Sequence, residues 1–207
     1  MPEANPVPPT IGAEYFNPRA YKKIQPAALL DYTLTKLESM LGLFDMWAEK
    51  PGIKELVERE CRSDISTMIR RQYVLGWDKS ANVSTPYREI GLNPGDPLDL
   101  DHVVPVSTMA RLVLAQKTME SRQRMFVRAW LAPVALISKE SHDNIVNEAA
   151  TSDLITKNPF TRYKADNIQI SLCGEPLPED FTIQHHYDLL ATNPAIGQIL
   201  RGHKIVA

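Results

Sequence analysis

The chain has few cysteines, no long apolar run and almost no excess of charge. Its 207 residues include two cysteines, Cys61 and Cys173, which lie too far apart in sequence to form a CxxC pair. Zinc ribbons and knuckles take their ligands from such pairs, and a disulfide framework needs more cysteines, so we expect neither. This cysteine usage suits a reducing cytoplasm.

The sequence also lacks the features of a membrane or secreted protein. No stretch approaches the ~18 consecutive apolar residues that a membrane span requires. The N-terminal segment is acidic and rich in proline, without the basic start and apolar centre of a signal peptide. A net charge of −2 gives no sign that the molecule as a whole binds nucleic acid, so any basic surface must be local. We expect a cytoplasmic protein that contacts no membrane.

Length and composition fit one globular domain with extensions. The apolar fraction of 43% and the charged fraction of 23% are ordinary for a folded protein of this size. Prolines mark residues 1–26 as an extended arm. Residues 27–97 form the predicted helical region. Its first helix starts at Pro26, at the end of the arm, its second starts at residue 53, and a loop follows over 76–97. A motif region occupies 98–150, and 151–207 extend the same domain with a strand at 168–172 and helices at 182–190 and 194–200.

The sequence is organised around Leu98–Ser107, a short apolar run interrupted by two carboxylates and an imidazole. Side chains alternate along an extended strand, so Asp99 and Asp101 share one side of it. Pro105 ends regular pairing because it has no N–H, which leaves the acids and His102 where a strand passes into a loop. Taken alone, the run fits a metal site with a general base as well as an edge strand with solvated side chains.

A basic segment follows this run, within a helix predicted between residues 109 and 130. Only one acid, Glu120, accompanies its basic residues, so the segment is a candidate surface for phosphates. A solvated helix face is the alternative. The candidate phosphate contacts, with one more from a basic-aromatic segment further on, are Arg111, Lys117, Arg122, Arg124, Arg128 and Arg162.

A second apolar strand and a capped helix are predicted after the basic segment. Val134–Ile137 is the strand, Ser138 is a good N-cap, and the helix is expected from residue 139 to about residue 150. His142 falls near the end of the first turn, with apolar neighbours three and four residues on, so we expect its ring on the inward side. A strand, a strand and a helix can place Asp101 and His142 around one divalent cation, with His102 beside it as the base.

These residues resemble the HNH, or ββα-metal, endonuclease family. The run Asp99–Pro105 is similar to the Asp-x-Asp-His-Ile-Val-Pro of the HNH domain in CRISPR effector nucleases. Leu136–His142 is similar to the strand-to-helix step of the family, and the resemblance spans roughly residues 98 to 150. The roles it implies are metal ligand for Asp101, general base for His102, helix ligand for His142 and accessory acid near the metal for Asp99.

The sequence departs from the family pattern in three places. The Asn that braces the loop carrying the base falls near Pro133, which has no side-chain amide, so another group must brace that loop. The 40 residues from His102 to His142 exceed the gap in compact members, so the basic segment would be an insertion. The helix ligand is often Asn in the family, which keeps Asn144 and Asn147 open as alternatives to His142.

The sequence therefore predicts a mostly helical α+β protein with a ββα-metal motif embedded in a helical body. The expected function is hydrolysis of phosphodiester bonds in nucleic acid, with DNA favoured over RNA by family analogy. Mg²⁺ is the expected ion, with Mn²⁺ or Zn²⁺ as alternatives. Two other classes stay open, namely a non-catalytic nucleic-acid-binding protein with a degenerate motif and a helical interaction protein in which the Asp-His run is only a turn.

Overall fold

The computed structural model describes residues 25–71, 85–145 and 158–207, and these residues form helices and short strands. The helices are α1 (Pro26–Trp47), α2 (Lys54–Arg71), α3 (Val106–Leu114), α4 (Met119–Trp130), α5 (Lys139–Asn144), α6 (Thr161–Ala165), α7 (Ile183–Ala191) and α8 (Pro194–Gly202). The strands are β1 (Tyr87–Glu89), β2 (Leu98–His102), β3 (Val134–Ser138), β4 (Ile170–Leu172) and β5 (Glu175–Pro176). The prediction of a mostly helical α+β protein is confirmed. The predicted arm lies outside the described residues up to residue 24.

The two N-terminal helices begin close to where the sequence predicts them. Pro26 stands in the first turn of α1, where its missing N–H costs no hydrogen bond. Leucines at three- and four-residue steps, among them Leu30, Leu34, Leu37 and Leu41, are buried on one face of α1, which packs against α2. No helix in the described ranges combines the length and the apolar character needed to cross a bilayer.

The five strands form one mixed sheet in the order β2-β3-β1-β4-β5. β2 and β3 are antiparallel, with Leu98 opposite Ser138 and His102 opposite Val134. β1 is parallel to β3 and antiparallel to β4. The acidic strand β2 therefore lies at one edge of the sheet, and α5 follows directly from its only partner strand in the described chain.

β1 corrects the loop predicted over residues 76–97. A strand of three residues is too short to show alternation in the sequence, and Pro86 and Gly91 flank it. Tyr87 is fully buried, and the Thr85 hydroxyl donates a hydrogen bond to the Val134 carbonyl, which ties this segment to β3. Pairing with distant strands creates β1, and residues 76–84 of the predicted loop lie outside the described part of the chain.

The segment between β2 and β3 contains two helices instead of the single predicted one. α3 ends at Leu114, and α4 begins after Thr118. The Thr118 hydroxyl accepts a hydrogen bond from the Ser121 N–H, while the Ser121 hydroxyl accepts one from the Thr118 N–H. This reciprocal capping box starts a new helix, so the prediction of one helix between residues 109 and 130 is wrong.

One hydrophobic core includes residues from the helices and from the sheet. The fully buried His186 of α7 links three parts of it, because its Nδ1 lies 2.8 Å from the Tyr87 hydroxyl and its Nε2 lies 2.7 Å from the Leu131 carbonyl. A carbonyl only accepts, so Nε2 carries the hydrogen and Nδ1 accepts from Tyr87. Burial lowers the pKa of His186 to about 4, so the ring is a neutral structural link at pH 7.

Candidate active site

The end of β2 opens into a cavity of about 450 Å³. Side chains from four elements and the start of α3 meet there, although they are far apart in sequence. The lining residues are Arg70 of α2, Leu100, Asp101 and His102 of β2, Pro105, Val106 and Ser107, His142 of α5 and Arg162 of α6. The structure thus brings together four of the candidate site residues predicted from the sequence, namely Asp101, His102, His142 and Arg162. Arg70 lines the same cavity.

The two oxygens of the buried Asp101 have different surroundings. Oδ2 accepts a hydrogen bond from the Tyr163 hydroxyl at 2.6 Å and pairs with the guanidinium of Arg162. Oδ1 lies 3.9 Å from Nε2 of His142. The carboxylate is therefore held in place through Oδ2, and Oδ1 is the oxygen that faces His142.

His142 faces the acids of β2 and not the apolar core. Its side chain is 41% exposed, with Nδ1 3.7 Å from Oδ2 of Asp99 and 3.6 Å from Oδ1 of Asp143. The prediction of an inward ring is wrong because α5 ends at Asn144, and the buried Ile145 follows in an extended conformation. Both acids of β2 approach the same ring, as expected for residues on one side of a strand.

Asn144 and Asn147 are the alternatives to His142 as helix ligand. Asn144 is exposed at the last position of α5 and does not line the cavity. Asn147 lies outside the described residues.

Glu89 fixes the start of α5. The Ser138 hydroxyl caps the helix by accepting a hydrogen bond from the Ser141 N–H at 3.0 Å, as the sequence predicts. The Glu89 carboxylate accepts from the Ser138 N–H at 2.6 Å and from the Ser141 hydroxyl at 2.7 Å. Sequence reasoning missed Glu89 because its strand was not identified, and no local signal connects it with a helix that starts fifty residues later.

His102 is half-buried at the last position of β2. Burial, and then the positive charge of Arg70, lower its pKa to about 4, so the ring is neutral at pH 7. A neutral imidazole is the form that accepts a proton. The loop after His102 is braced by the backbone, because the Val103 N–H donates to the Pro133 carbonyl at 3.1 Å. The Pro133 carbonyl thus braces this loop, although the proline side chain has no amide with which to do so.

Arg122 does not lie on a phosphate-facing surface. The residue is buried, its Nη1 lies 2.7 Å from Oδ2 of Asp45, and its Nε donates to the Gln116 carbonyl at 2.9 Å. The prediction that Arg122 contacts phosphate is wrong because its guanidinium is committed to internal partners.

The other predicted phosphate contacts are scattered. Arg111 and Lys117 are exposed, Arg124 is half-buried and pairs with Glu120, and Arg128 lies over the ring of Tyr187 at 5.8 Å. None of these four lines the cavity. Arg162 does, but as a buried partner of Asp101 and not as part of an exposed basic-aromatic patch.

Asp101 and His142 lie close enough for one divalent ion to be shared between them if their facing atoms move slightly closer. Two ligands about 2.1 Å from an ion and at right angles to each other lie about 3 Å apart. The observed 3.9 Å between Oδ1 and Nε2 would therefore shorten by about 1 Å at most. Within the described ranges no group of three His, Cys, Asp or Glu side chains could hold an ion, so water or substrate oxygens would complete its coordination.

No protein-family model, no curated protein and no solved structure matches this chain. The HNH resemblance therefore stays a prediction.

Proposed function

We propose that this protein is a metal-dependent endonuclease of the HNH type that hydrolyses phosphodiester bonds in nucleic acid, with DNA as the favoured substrate. The observation that carries the proposal is the 3.9 Å approach of Asp101 Oδ1 to His142 Nε2 beside His102. An antiparallel strand pair followed directly by a helix supports it, because a ββα-metal motif needs that arrangement.

Asp101 and His142 would hold the ion, for which Mg²⁺ is expected and Mn²⁺ or Zn²⁺ are alternatives. When bound, it would stabilise negative charge on the phosphate and on the leaving 3′ oxygen. Tyr163 and Arg162 orient the Asp101 carboxylate through its other oxygen. Imidazoles that ligate metals commonly donate their second N–H to a carboxylate, and both Asp99 and the exposed Asp143 lie on that side of His142. We assign Asp99 this orienting role in place of the expected accessory acid.

His102 would act as the general base. Its ring is neutral at pH 7 and lines the same cavity as Asp101, so it can take the proton of an attacking water. The ladder partner Val134 and the bond from Val103 to Pro133 fix the backbone on both sides of the ring.

One observation favours a second candidate, a nucleic-acid-binding protein without catalysis. The internal cation Arg162 already neutralises Asp101, which would suit a carboxylate that has only a structural role. In that case the protein binds nucleic acid but leaves it intact whatever ion is added.

Cleavage of a supercoiled plasmid in Mg²⁺, in Mn²⁺ and in EDTA separates the two candidates. The wild type should cut only with the ion, and His102→Ala should slow cutting by about 100-fold or more. His203→Ala is the matched control, because that histidine does not line the cavity. Cutting in EDTA, or cutting by His102→Ala at the wild-type rate, would contradict the mechanism.

A further inference from the structure

We propose that the N-terminus of α3, with Arg70 and Arg162, forms a phosphate-binding subsite in the cavity beside His102. The ligand is a phosphodiester group of a nucleic-acid backbone, next to the one on which Asp101 and His142 act. Assigning that group to nucleic acid rests on the proposed function, whereas the affinity for phosphate does not.

α3 begins without a side-chain cap. Pro105 holds the N-cap position, and both the Thr108 and Met109 N–H groups return to its carbonyl, at 2.9 and 3.0 Å. The N–H groups of Val106 and Ser107 have no hydrogen-bond acceptor within the ranges that the structure covers. A helix N-terminus carries about half a positive charge and binds phosphate through such free N–H groups. Both residues line the cavity, so the open end of α3 belongs to its wall.

Arg162 provides a second and independent indication of a ligand. The residue is 3% exposed, and it lines the same cavity. Its Nε is buried and has no hydrogen-bond partner among the described residues, although another atom of the guanidinium pairs with Asp101. A buried N–H group without an acceptor is unfavourable, and an anion in the cavity is the kind of ligand that would satisfy it.

Arg70 makes the charge of the cavity positive. It is exposed near the end of α2, and with Arg162 it gives the lining two guanidinium groups against the single carboxylate of Asp101. Guanidinium groups bind phosphate oxygens with two parallel hydrogen bonds. The balance of charge therefore favours the monoanion of a phosphodiester over a neutral or cationic ligand.

An amide NMR titration of the full chain in EDTA tests the subsite without any metal. The probes are dimethyl phosphate, a diester that has no base, and inorganic phosphate, with chloride at the same ionic strength as the blank. Saturable shifts should appear at the amides of Val106 and Ser107. Arg70→Gln should weaken the affinity about tenfold. Arg59→Gln is the matched control, because it removes the same charge from an exposed position three turns earlier on α2.

Ser107→Asp gives a test that loss of folding cannot imitate. A carboxylate in the first turn stabilises a helix but repels phosphate, so the melting temperature should hold or rise while phosphate affinity falls about tenfold. Ser107→Asn is its neutral control.

The subsite is overturned if no saturable shift appears at these amides, or if Arg70→Gln loses no more affinity than Arg59→Gln. Metal-dependent cleavage without phosphate binding at these amides would overturn the subsite but still support the proposed nuclease function. Phosphate binding by a protein that cuts no nucleic acid would support the subsite and refute the nuclease.

Discussion

The guanidinium of Arg162 pairs with Oδ2 of Asp101 in the protein interior, joining α6 to the strand that carries the site. Arg162→Met leaves this carboxylate buried without its cation, so the free energy of unfolding should fall by about 3–5 kcal/mol. Tyr163→Phe removes a hydrogen bond to the same oxygen and should lower the free energy of unfolding by about 1.5–3 kcal/mol. Urea denaturation at pH 7 measures both effects.

The double variant Asp101→Asn with Arg162→Met checks that the two residues act as a pair. It should lose less free energy than the sum of the single variants, because neither change then strands a charge. Additive losses would mean that the two side chains do not interact in solution.

Asp99→Asn should weaken divalent-ion binding while the protein stays folded. The amide cannot reproduce the charge near Nδ1 of His142, so we expect affinity for Mn²⁺ about tenfold lower in titration calorimetry. His142→Ala removes a proposed ligand of the ion and should lower the Mn²⁺ affinity considerably more. Asp180→Asn, an exposed acid that does not line the cavity, is the control. If Asp99→Asn loses as much affinity as His142→Ala, then Asp99 itself binds the ion.

Glu89→Ala should loosen the start of α5 and so disturb the position of His142. The Ser138 N–H and the Ser141 hydroxyl lose their acceptor, which should lower the free energy of unfolding by about 1–3 kcal/mol and weaken Mn²⁺ binding as well. Glu89→Gln keeps one acceptor oxygen and should recover part of the lost stability and part of the lost Mn²⁺ affinity. Glu140→Ala changes an exposed acid in the first turn of α5 and serves as control. Mn²⁺ binding that is unchanged in Glu89→Ala would show that Glu89 has no positioning role.

His186 should make the protein less stable as the pH falls from about 6.5 to about 4. The unfolded chain takes up a proton at the ordinary pKa of 6.5, whereas the folded chain resists it down to about 4. The stabilisation is complete above pH 6.5, and about 3 kcal/mol of it is lost by pH 4. His186→Gln should flatten this part of the urea-denaturation profile.

The pKa of His102 is lowered as well, so its titration would add to the same part of the profile. The reference protein and the His186→Gln variant should therefore both carry His102→Gln. A profile that keeps its slope in the His186→Gln protein would assign the acid sensitivity to another group.

Substitution of Arg122 should affect the stability of the fold, whereas substitution of Arg111 should affect nucleic-acid binding. Arg122→Met should destabilise the fold, because Asp45 and the Gln116 carbonyl lose their cation, and it should leave the salt dependence of DNA binding unchanged. Arg111→Gln, at an exposed position, should reduce the slope of log K against log salt by about 1. If Arg122→Met also reduces the slope of log K against log salt, then Arg122 does contact phosphate.

Features set by short-range chemistry could be predicted from the sequence. The Ser138 cap, the strand after Pro133 and the starts of α7 and α8 depend on neighbouring residues, and they lie within a residue or two of the predicted positions. β1 could not be predicted, because three residues become a strand only through the partners on either side. The burial of Arg122 and the pairing of Arg162 with Asp101 likewise depend on contacts between distant segments, which local patterns do not encode.

The two helices between β2 and β3 also bear on the order in which the molecule folds. The strands pair across about 30 intervening residues, and each doubling of a loop adds about 0.6 kcal/mol of closure entropy. Forming α3 and α4 first shortens that loop, so we expect their amides to be protected from hydrogen exchange before those of β2 in a pulse-labelled refolding experiment. Simultaneous protection would contradict this order. Asp101 and His102 end one strand and His142 follows the other, so the cavity would be among the last parts of the molecule to assemble.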